Sequence, residues 1–411
     1  MPGRGAATAR RPCRAAAAGA LRHQPGAGGV SDARGRARRR HAAAPRAASL
    51  GISYVSLYFD ITGLGGEETA AVSFLSELLG KVDTAEHPAQ ELSRLTQLHC
   101  GNMSFSVDVY DNSAESYRAK LTARVSALES SIGKALGLLA EVLTGSRLDS
   151  EKEVTDILRQ KRTGMMQQLM NNGYVSAIGR AGSQLAAGPA ANEWANGYDY
   201  YCWLKRQNAA PDFAALSGEL AALASARHRP PRLDGERDWH ALPGGGRGPR
   251  RAARGLCRRA RACPARASRP AACAGGDRDT LRRGLCRHGR LGGKFDGRWQ
   301  LAGRVVSLEY LWNAVRVQGG AYGTGMVTRV SGFDGCYSYR DPSAAATLRT
   351  YAGAPQFLRG FASGGPDLDG LITGAVAAGE PLLTPRAKGE EADDLYFRGI
   401  TYEMRRARRA Q

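Results

Sequence analysis

The chain has 411 residues, enough for two or three domains that each bury a core. It contains no apolar run of about 18 residues, so we expect a soluble protein with no membrane partner. The formal net charge of +20 is concentrated, because residues 1–48 carry +10, residues 226–300 carry +14 and the remainder carries −4. The parts with a foldable pattern are therefore mildly acidic, which argues against a nucleic-acid partner.

Residues 1–48 consist mainly of Ala, Arg, Gly and Pro, with too few large apolar side chains to offset the entropy of ordering the backbone. We expect this segment to be disordered. Its Arg-rich, acid-poor composition is typical of an organelle transit peptide, and it is equally what GC-rich DNA encodes when translated in a wrong frame. Both interpretations stay open, so a mitochondrial or chloroplast location is an expectation, with a cytoplasmic one as the alternative.

The first predicted domain, residues 49–226, opens with an alternating segment. Val55, Leu57 and Phe59 lie on one face of residues 52–60, which predicts a strand with one buried side. Apolar residues then recur at helical spacing and predict a helix packed on the sheet. These residues are Val72, Leu75, Leu78, Leu79 and Val82. A break at Pro88 precedes a second short helix, at about residues 91–98.

Two further strands and two helices follow in the same domain. Residues 103–109 and 119–127 alternate as strands. The next predicted helix carries Ile132, Leu136, Leu139 and Leu143 on one face. Ser150, with Glu153 three residues later, is a helix start signature. The order strand, helix, strand, strand, helix, helix predicts an α+β fold of packed layers rather than alternating βα units.

Residues 227–295 show no sustained period and are rich in Arg, Gly and Pro, which predicts a low-complexity segment. Its cysteines lack the closely spaced C-x2-4-C pair through which two thiolates bind one zinc ion. Its glycine-rich run at residues 243–248 lacks the Lys-Ser/Thr of a phosphate loop.

The helical pattern resumes near Trp299 and predicts the remnant of a second domain, residues 296–411. Its apolar face is predicted to carry Val305, Leu308, Leu311, Trp312 and Val315. We expect Trp312, like Trp203, to pack in a core. Two short strands are predicted at residues 326–330 and 335–340.

Three blocks in chain order carry a family resemblance. They are Gly51–Asp60 with the helix that ends at Glu77–Thr84; Gly197–Lys205; and Glu309–Gly323, followed by Tyr339–Pro342 and Pro381–Gly389. Together they resemble the second half of presequence-protease-type zinc metalloendopeptidases, of the pitrilysin/insulinase superfamily. The resemblance covers roughly residues 49–225 and 296–405.

The resemblance implies a clamshell of two halves, each with two α+β roll domains in which helices pack on an antiparallel-rich sheet. By this resemblance we expect the chain to correspond to the second half, with its last domain incomplete. In the family the first half holds zinc through an H-x-x-E-H motif and a later glutamate, and its Glu acts as general base. The second half helps to hold a peptide substrate.

The zinc motif has no counterpart in this sequence. The seven histidines are at positions 23, 41, 87, 99, 228, 240 and 288, and no two of them frame a glutamate in an H-x-x-E-H or H-E-x-x-H pattern. We therefore expect no catalytic or structural zinc in this chain and no peptidase activity from it alone. The zinc would be held by a partner, the catalytic amino-terminal half or subunit.

Arg316 and Tyr322 are the site residues that the resemblance carries over. In the family, an arginine and a tyrosine of this motif reach across the chamber from the second half. The phenol of Tyr322 would donate to the developing oxyanion, and Arg316 would hold a peptide carbonyl. The alternative is that Tyr322 is an ordinary packed aromatic and that Arg316 is a solvated cation at a helix end.

Three hypotheses from different classes follow. The resemblance favours the substrate-chamber half of a zinc metalloendopeptidase that degrades unstructured peptides, such as cleaved targeting presequences. The alternative is a non-catalytic chamber or scaffold subunit that pairs with an active one. A basic nucleic-acid-binding protein is supported only by the Arg-rich stretches.

Overall fold

The computed structural model describes residues 51–210, 212–226, 295–330 and 333–411, and the backbone of residues 285–286. The expectations of disorder for residues 1–48 and of low complexity for nearly all of residues 227–295 therefore lie outside the described residues. We refer to residues 51–226 as the first domain and to residues 295–411 as the carboxy-terminal region.

The first domain contains a three-stranded antiparallel sheet in the order β1-β3-β2. Its strands are β1 (Ile52–Asp60), β2 (Asn102–Asp111) and β3 (Tyr117–Leu128). Val125 of the central strand pairs with Val55 on one side and with Met103 on the other. The odd-numbered residues of all three strands thus share one face, as the alternating sequence predicts.

Eight helices of the first domain pack on that face, some of them directly and the rest through other helices. They are α1 (Gly66–Leu78), α2 (Ala89–His99), α3 (Ile132–Gly145), α4 (Glu151–Asn171), α5 (Gly173–Gly182), α6 (Ala187–Asn196), α7 (Tyr198–Ala209) and α8 (Phe213–Ala226). The core is centred on large side chains from α1 and α7, among them Phe74, Tyr200 and Trp203, and all three are almost fully buried. Trp203 is therefore the core residue that its helical pattern predicts.

Two details of the predicted pattern are wrong in this domain. Val55 and Phe59 of β1 pack against the core, but Leu57 is exposed because β1 is an edge strand whose outer side has no neighbour in the described sheet. In α3 the buried stripe runs through Ala135 and Leu139, whereas Leu136 is 39% exposed, because it lies about 100° around the helix from that stripe.

The predicted start of α4 is confirmed. The Ser150 hydroxyl oxygen accepts from the backbone N–H of Glu153 at 3.5 Å. The hydroxyl thereby satisfies one of the amides that a helix leaves unpaired at its amino terminus.

A second small antiparallel sheet, in the order β4-β6-β5, takes two of its three strands from the carboxy-terminal region. Its strands are β4 (Leu285–Cys286), β5 (Gly323–Thr328) and β6 (Asp334–Tyr339). The helices are α9 (Gly297–Val305), a π-helix (Val306–Val317), α10 (Ala344–Ser363), α11 (Asp369–Gly379), α12 (Pro385–Arg398) and α13 (Tyr402–Ala410). The predicted α+β class, with helices on antiparallel sheets, is confirmed.

Helix α12 joins the two parts, because it packs on the even-numbered face of the first sheet. The ring of Phe397 lies 4.7 Å from that of Tyr58 and 4.8 Å from that of Tyr110. The Tyr58 hydroxyl donates to Asp393 at 2.5 Å, and the Asn112 side chain donates to the Phe397 carbonyl at 2.8 Å. Burial of the Tyr58 phenol is the main cause that raises its pKa, and the hydrogen bond with Asp393 raises the pKa further. Part of the second face of the first sheet is therefore covered as well, whereas the sequence pattern predicts one buried side for its first strand.

Among the described helices, none combines the length and the hydropathy that a membrane-spanning segment requires.

Candidate functional site

The candidate site lies where the π-helix Val306–Val317 turns into β5. The N–H of Gln318 donates to the carbonyl of Asn313, five residues back, at 2.9 Å, which is the wide spacing of π-turns. The turn then needs glycine twice. A Cβ on Gly319 would lie 2.6 Å from the Val315 carbonyl oxygen, and Gly320 has a φ of 77°.

Wide turns explain why the predicted apolar face of this helix is partly wrong. Val305, Leu311 and Val315 are buried, as expected. Leu308 is exposed, and Trp312 is 41% exposed, because a π-helix turns less per residue than the 3.6-residue period assumes. Trp312 is therefore not the core residue that the sequence predicts.

Arg316 lies against Trp312 rather than being solvated on all sides. Its guanidinium carbon is 4.0 Å from the centroid of the indole ring, within the range of a cation–π contact. The contact covers one face of the guanidinium and restricts the side chain. A cation–π contact uses the face of the guanidinium and not its N–H groups, which can still recognise a carbonyl or carboxylate.

Tyr322 follows the glycine turn and leaves its side chain in solvent. Its backbone N–H donates to the carbonyl of Tyr339 at 3.1 Å, which fixes the main chain at the start of the hairpin. The side chain is 60% exposed, and its ring lies 5.6 Å from that of Tyr339 in a tilted arrangement. The phenol is thus available to a ligand, and Tyr322 is not a buried packing residue.

A row of tyrosines forms the wall beside Tyr322. The rings of Tyr337 and Tyr339 lie over glycines of the neighbouring strand: a Cβ on Gly325 would lie 2.8 Å from the Tyr337 hydroxyl, and one on Gly323 would overlap the Tyr339 ring. Tyr174, from α5 of the first domain, stacks on both, at 5.4 Å from Tyr337 and 4.7 Å from Tyr339. Burial is the main cause that raises the pKa of Tyr337, and the neighbouring tyrosines raise it further.

The chain after Tyr339 is fixed by a buried carboxylate. Asp341 is 4% exposed and accepts from the Ser338 hydroxyl at 2.7 Å and from the backbone N–H of Ser343 at 2.9 Å. Arg340 lies in sequence between Ser338 and Ser343. Its guanidinium carbon is 5.1 Å from the centroid of the Tyr322 ring. The candidate site therefore comprises the exposed phenol of Tyr322, with Arg340 over its ring at the start of a hairpin, and Arg316 held against Trp312 on the helix that precedes the hairpin.

The described residues do not fit the zinc site of the family. They hold one His-containing group with metal-ligand chemistry, Glu86, His87 and Glu141. Glu141 already accepts hydrogen bonds from Thr84 and from Nδ1 of His87, the latter at 3.0 Å and 3.1 Å. This network ties the loop before α2 to α3, and it has one histidine where the family motif has two. We derive no chemical step from it.

Sequence reasoning missed Tyr174, Arg340 and the exposed position of Trp312. A signal for the tyrosine wall was present, because the spacing Gly323-x-Gly325 faces Tyr337-x-Tyr339 across a hairpin. Aromatic rings often cover glycines on a neighbouring strand. Tyr174 carries no such signal, because it comes from a helix about 160 residues away in sequence.

Two family models match the chain. One describes the domain associated with peptidases of family M16, subfamily C, and matches residues 45–206. The other, described as "PreP C-terminal domain", matches residues 289–410. The second match includes Arg316 and Tyr322.

Curated relatives and solved structures point the same way. The "Protein HypA" of Clostridium perfringens is 24% identical over 382 residues, which are 86% of this chain and 37% of that protein. The "Presequence protease 1, chloroplastic/mitochondrial" of Arabidopsis thaliana is 34% identical over 121 residues, 29% of this chain and 11% of that protein. The chain thus spans well under half the length of these relatives. A crystal structure of a "peptidase M16 inactive domain" from Pseudomonas fluorescens shares the fold, with a TM-score of 0.51, 12% identity and coverage of 87% of this chain and 86% of that one.

Proposed function

Because the chain belongs to the M16 peptidase family, as a counterpart of its carboxy-terminal half, we propose that it forms the substrate chamber of a zinc metalloendopeptidase. The substrates we propose are unstructured peptides, such as cleaved targeting presequences. The observation that carries the proposal is the exposed phenol of Tyr322 at the start of a hairpin fixed from several sides, six residues after Arg316, whose guanidinium is held against Trp312.

The chemistry of these two groups suits a peptide amide. A guanidinium offers two parallel N–H donors to a carbonyl oxygen, in the ground state as well as in the transition state. A phenol hydroxyl is a neutral donor that strengthens its hydrogen bond as an amide oxygen gains negative charge. Arg316 is therefore assigned to binding, and Tyr322 to stabilising the oxyanion.

The zinc and the general base belong, in this proposal, to a partner half or subunit, because the described residues offer no fitting ligand set. Zinc supplies an activated water when it is bound there. A mitochondrial or chloroplast location is part of the proposal and is supported by the names of the plant relative and of similar mitochondrial proteins.

A non-catalytic subunit is the second candidate. The Pseudomonas fluorescens structure is described as an inactive domain, and this chain covers most of it. In that case Arg316 and Tyr322 would hold peptides or a partner without contributing to turnover. The two candidates share peptide binding and differ in whether Tyr322 affects the rate.

Peptide binding by the full chain is the direct test. We expect a fluorescently labelled, unstructured peptide of presequence-like composition to bind, and Arg316→Ala to weaken its affinity by roughly 10-fold or more, because a charge-assisted hydrogen bond is lost. Arg359→Ala is the matched control, since this exposed arginine on α10 contacts only Gln356 among the described residues. Equal affinities for the two variants would disprove the assignment of Arg316.

A further inference from the structure

Arg340 has an unusual backbone conformation. With a φ of 48°, it is the one residue other than glycine in the described part of the chain that has a positive φ. L-residues with a Cβ pay a steric cost there, and glycine or asparagine normally occupies such positions. A strained residue persists where its surroundings over-determine it, often at a functional site.

The surroundings of Arg340 meet that condition. On both sides the chain is held by the buried carboxylate of Asp341, which accepts from Ser338 and from the N–H of Ser343. On the amino-terminal side, Tyr339 is fixed by its ring against Tyr174 and by its carbonyl, which accepts from the N–H of Tyr322. The backbone at Arg340 is thus clamped, and the side chain leaves it in a set direction.

That direction leads to Tyr322. The guanidinium carbon lies 5.1 Å from the centroid of the phenol ring, within the range in which a cation is attracted to an aromatic face. No carboxylate of the described residues pairs with Arg340. The strained backbone therefore places the guanidinium of Arg340 against the aromatic ring of Tyr322.

We propose that Arg340 is a positioning residue for Tyr322. Tyr322 is largely exposed, and a free tyrosine side chain on a surface samples several rotamers. The contacts with Arg340 and with the Tyr339 ring confine the phenol, so that its hydroxyl needs no reordering when an oxyanion develops. The consequence for turnover rests on the proposed function; the orientation of the ring does not.

The test uses the full chain with 3-fluorotyrosine placed at position 322 and compares three substitutions by ¹⁹F NMR. Arg340→Met removes the charge and keeps the length, Arg340→Lys keeps the charge, and Arg340→Gly removes the side chain and accepts the positive φ without strain. We expect the Met and Gly variants to move the signal toward that of 3-fluorotyrosine at the exposed position 402, and the Lys variant to retain most of the wild-type shift.

Thermal stability separates positioning from a structural role. Because Arg340→Gly relieves a strained φ, we expect its Tm to be equal to or higher than that of the wild type, while the signal of residue 322 still changes. An unchanged signal in both the Met and the Gly variants, with the fold intact, would overturn the proposal.

A kinetic readout extends the same comparison to turnover. In an assay with a catalytic half, Arg340→Met is expected to lower kcat about 10-fold and to leave KM nearly unchanged, because Arg340 acts through Tyr322 and not on the bound peptide. A raised KM with an unchanged kcat would show that Arg340 binds the substrate directly, and would contradict positioning. The NMR comparison needs neither peptide nor partner, so it decides the role of Arg340 even if peptide binding by Arg316 fails.

Discussion

Helix α7 of the first domain, and the π-helix of the carboxy-terminal region with the turn after it, place their aromatic side chains differently. In the first domain, Trp203 and its neighbours Phe74 and Tyr200 are buried together between helices. In the carboxy-terminal region, Trp312 and Tyr322 lie at the surface, each against an arginine. The comparison indicates that the aromatic side chains around α7 contribute to stability, whereas Trp312 and Tyr322 suit a ligand better than a core.

The two tryptophans give the largest expected contrast. Trp203→Ala should lower the free energy of unfolding by about 3–5 kcal/mol, because it leaves a large cavity among fully buried side chains. Trp312→Ala should lower it by clearly less, about 1–2 kcal/mol, because this side chain is 41% exposed, leaves no enclosed cavity and loses a cation–π contact at the surface. Urea denaturation of both variants measures the difference. Similar losses would show that Trp312 has a core role after all.

Two glycines test the tyrosine wall. Gly323→Ala should cost about 1–3 kcal/mol, since its Cβ would overlap the Tyr339 ring, which Tyr174 prevents from moving away. Gly133→Ala, in α3, is the control, because a Cβ there meets nothing within 4 Å and alanine favours the helix by up to about 1 kcal/mol. If Gly323→Ala melts at the wild-type temperature, the ring is free to shift and the wall is not rigid.

A buried carboxylate makes the stability of the first domain depend on pH. Burial, mainly, raises the pKa of Glu193 from 4.5 to about 7, although Arg180 opposes this shift. A raised pKa in the folded protein means that this contribution to stability is complete below pH 4.5 and is lost as the pH rises through 7. Glu193→Gln stays neutral, so its stability relative to the wild type should increase by roughly 2–3 kcal/mol between pH 4.5 and 8.

Denaturant midpoints of the wild type and of Glu193→Gln across that pH range provide the measurement. If the midpoints of the two proteins change with pH in parallel, the ion pair with Arg180, at an N–O distance of 3.6 Å, keeps Glu193 ionised.

Much of the fold could be predicted from the sequence, because local patterns determine it. Alternation located β2 and β3, and a Ser with a Glu three residues on located the start of α4. The errors concern information that is not local. The exposure of Leu57 follows from the edge position of β1, and that of Trp312 from π-turns, and neither is encoded in a hydrophobic period.

The candidate site was less predictable. Spacing alone did not distinguish Arg316 and Tyr322 from ordinary surface residues, and their selection came from the family resemblance. Tyr174 reaches Tyr339, the neighbour of Tyr322, only through the packing of α5 on β6, and Arg340 reaches Tyr322 only through a strained turn. Such features depend on tertiary structure and on a positive φ at a residue type that does not favour it.

Complementation tests the central claim most directly. The full chain, mixed with the zinc-bearing amino-terminal half of an M16 relative, should hydrolyse an unstructured peptide, whereas the chain alone should not. In the mixture, Tyr322→Phe should lower turnover by roughly 10- to 1000-fold, the range for losing one oxyanion donor, while the exposed control Tyr402→Phe leaves it unchanged. Equal turnover for Tyr322→Phe and its parent, or hydrolysis by the chain alone, would contradict the account.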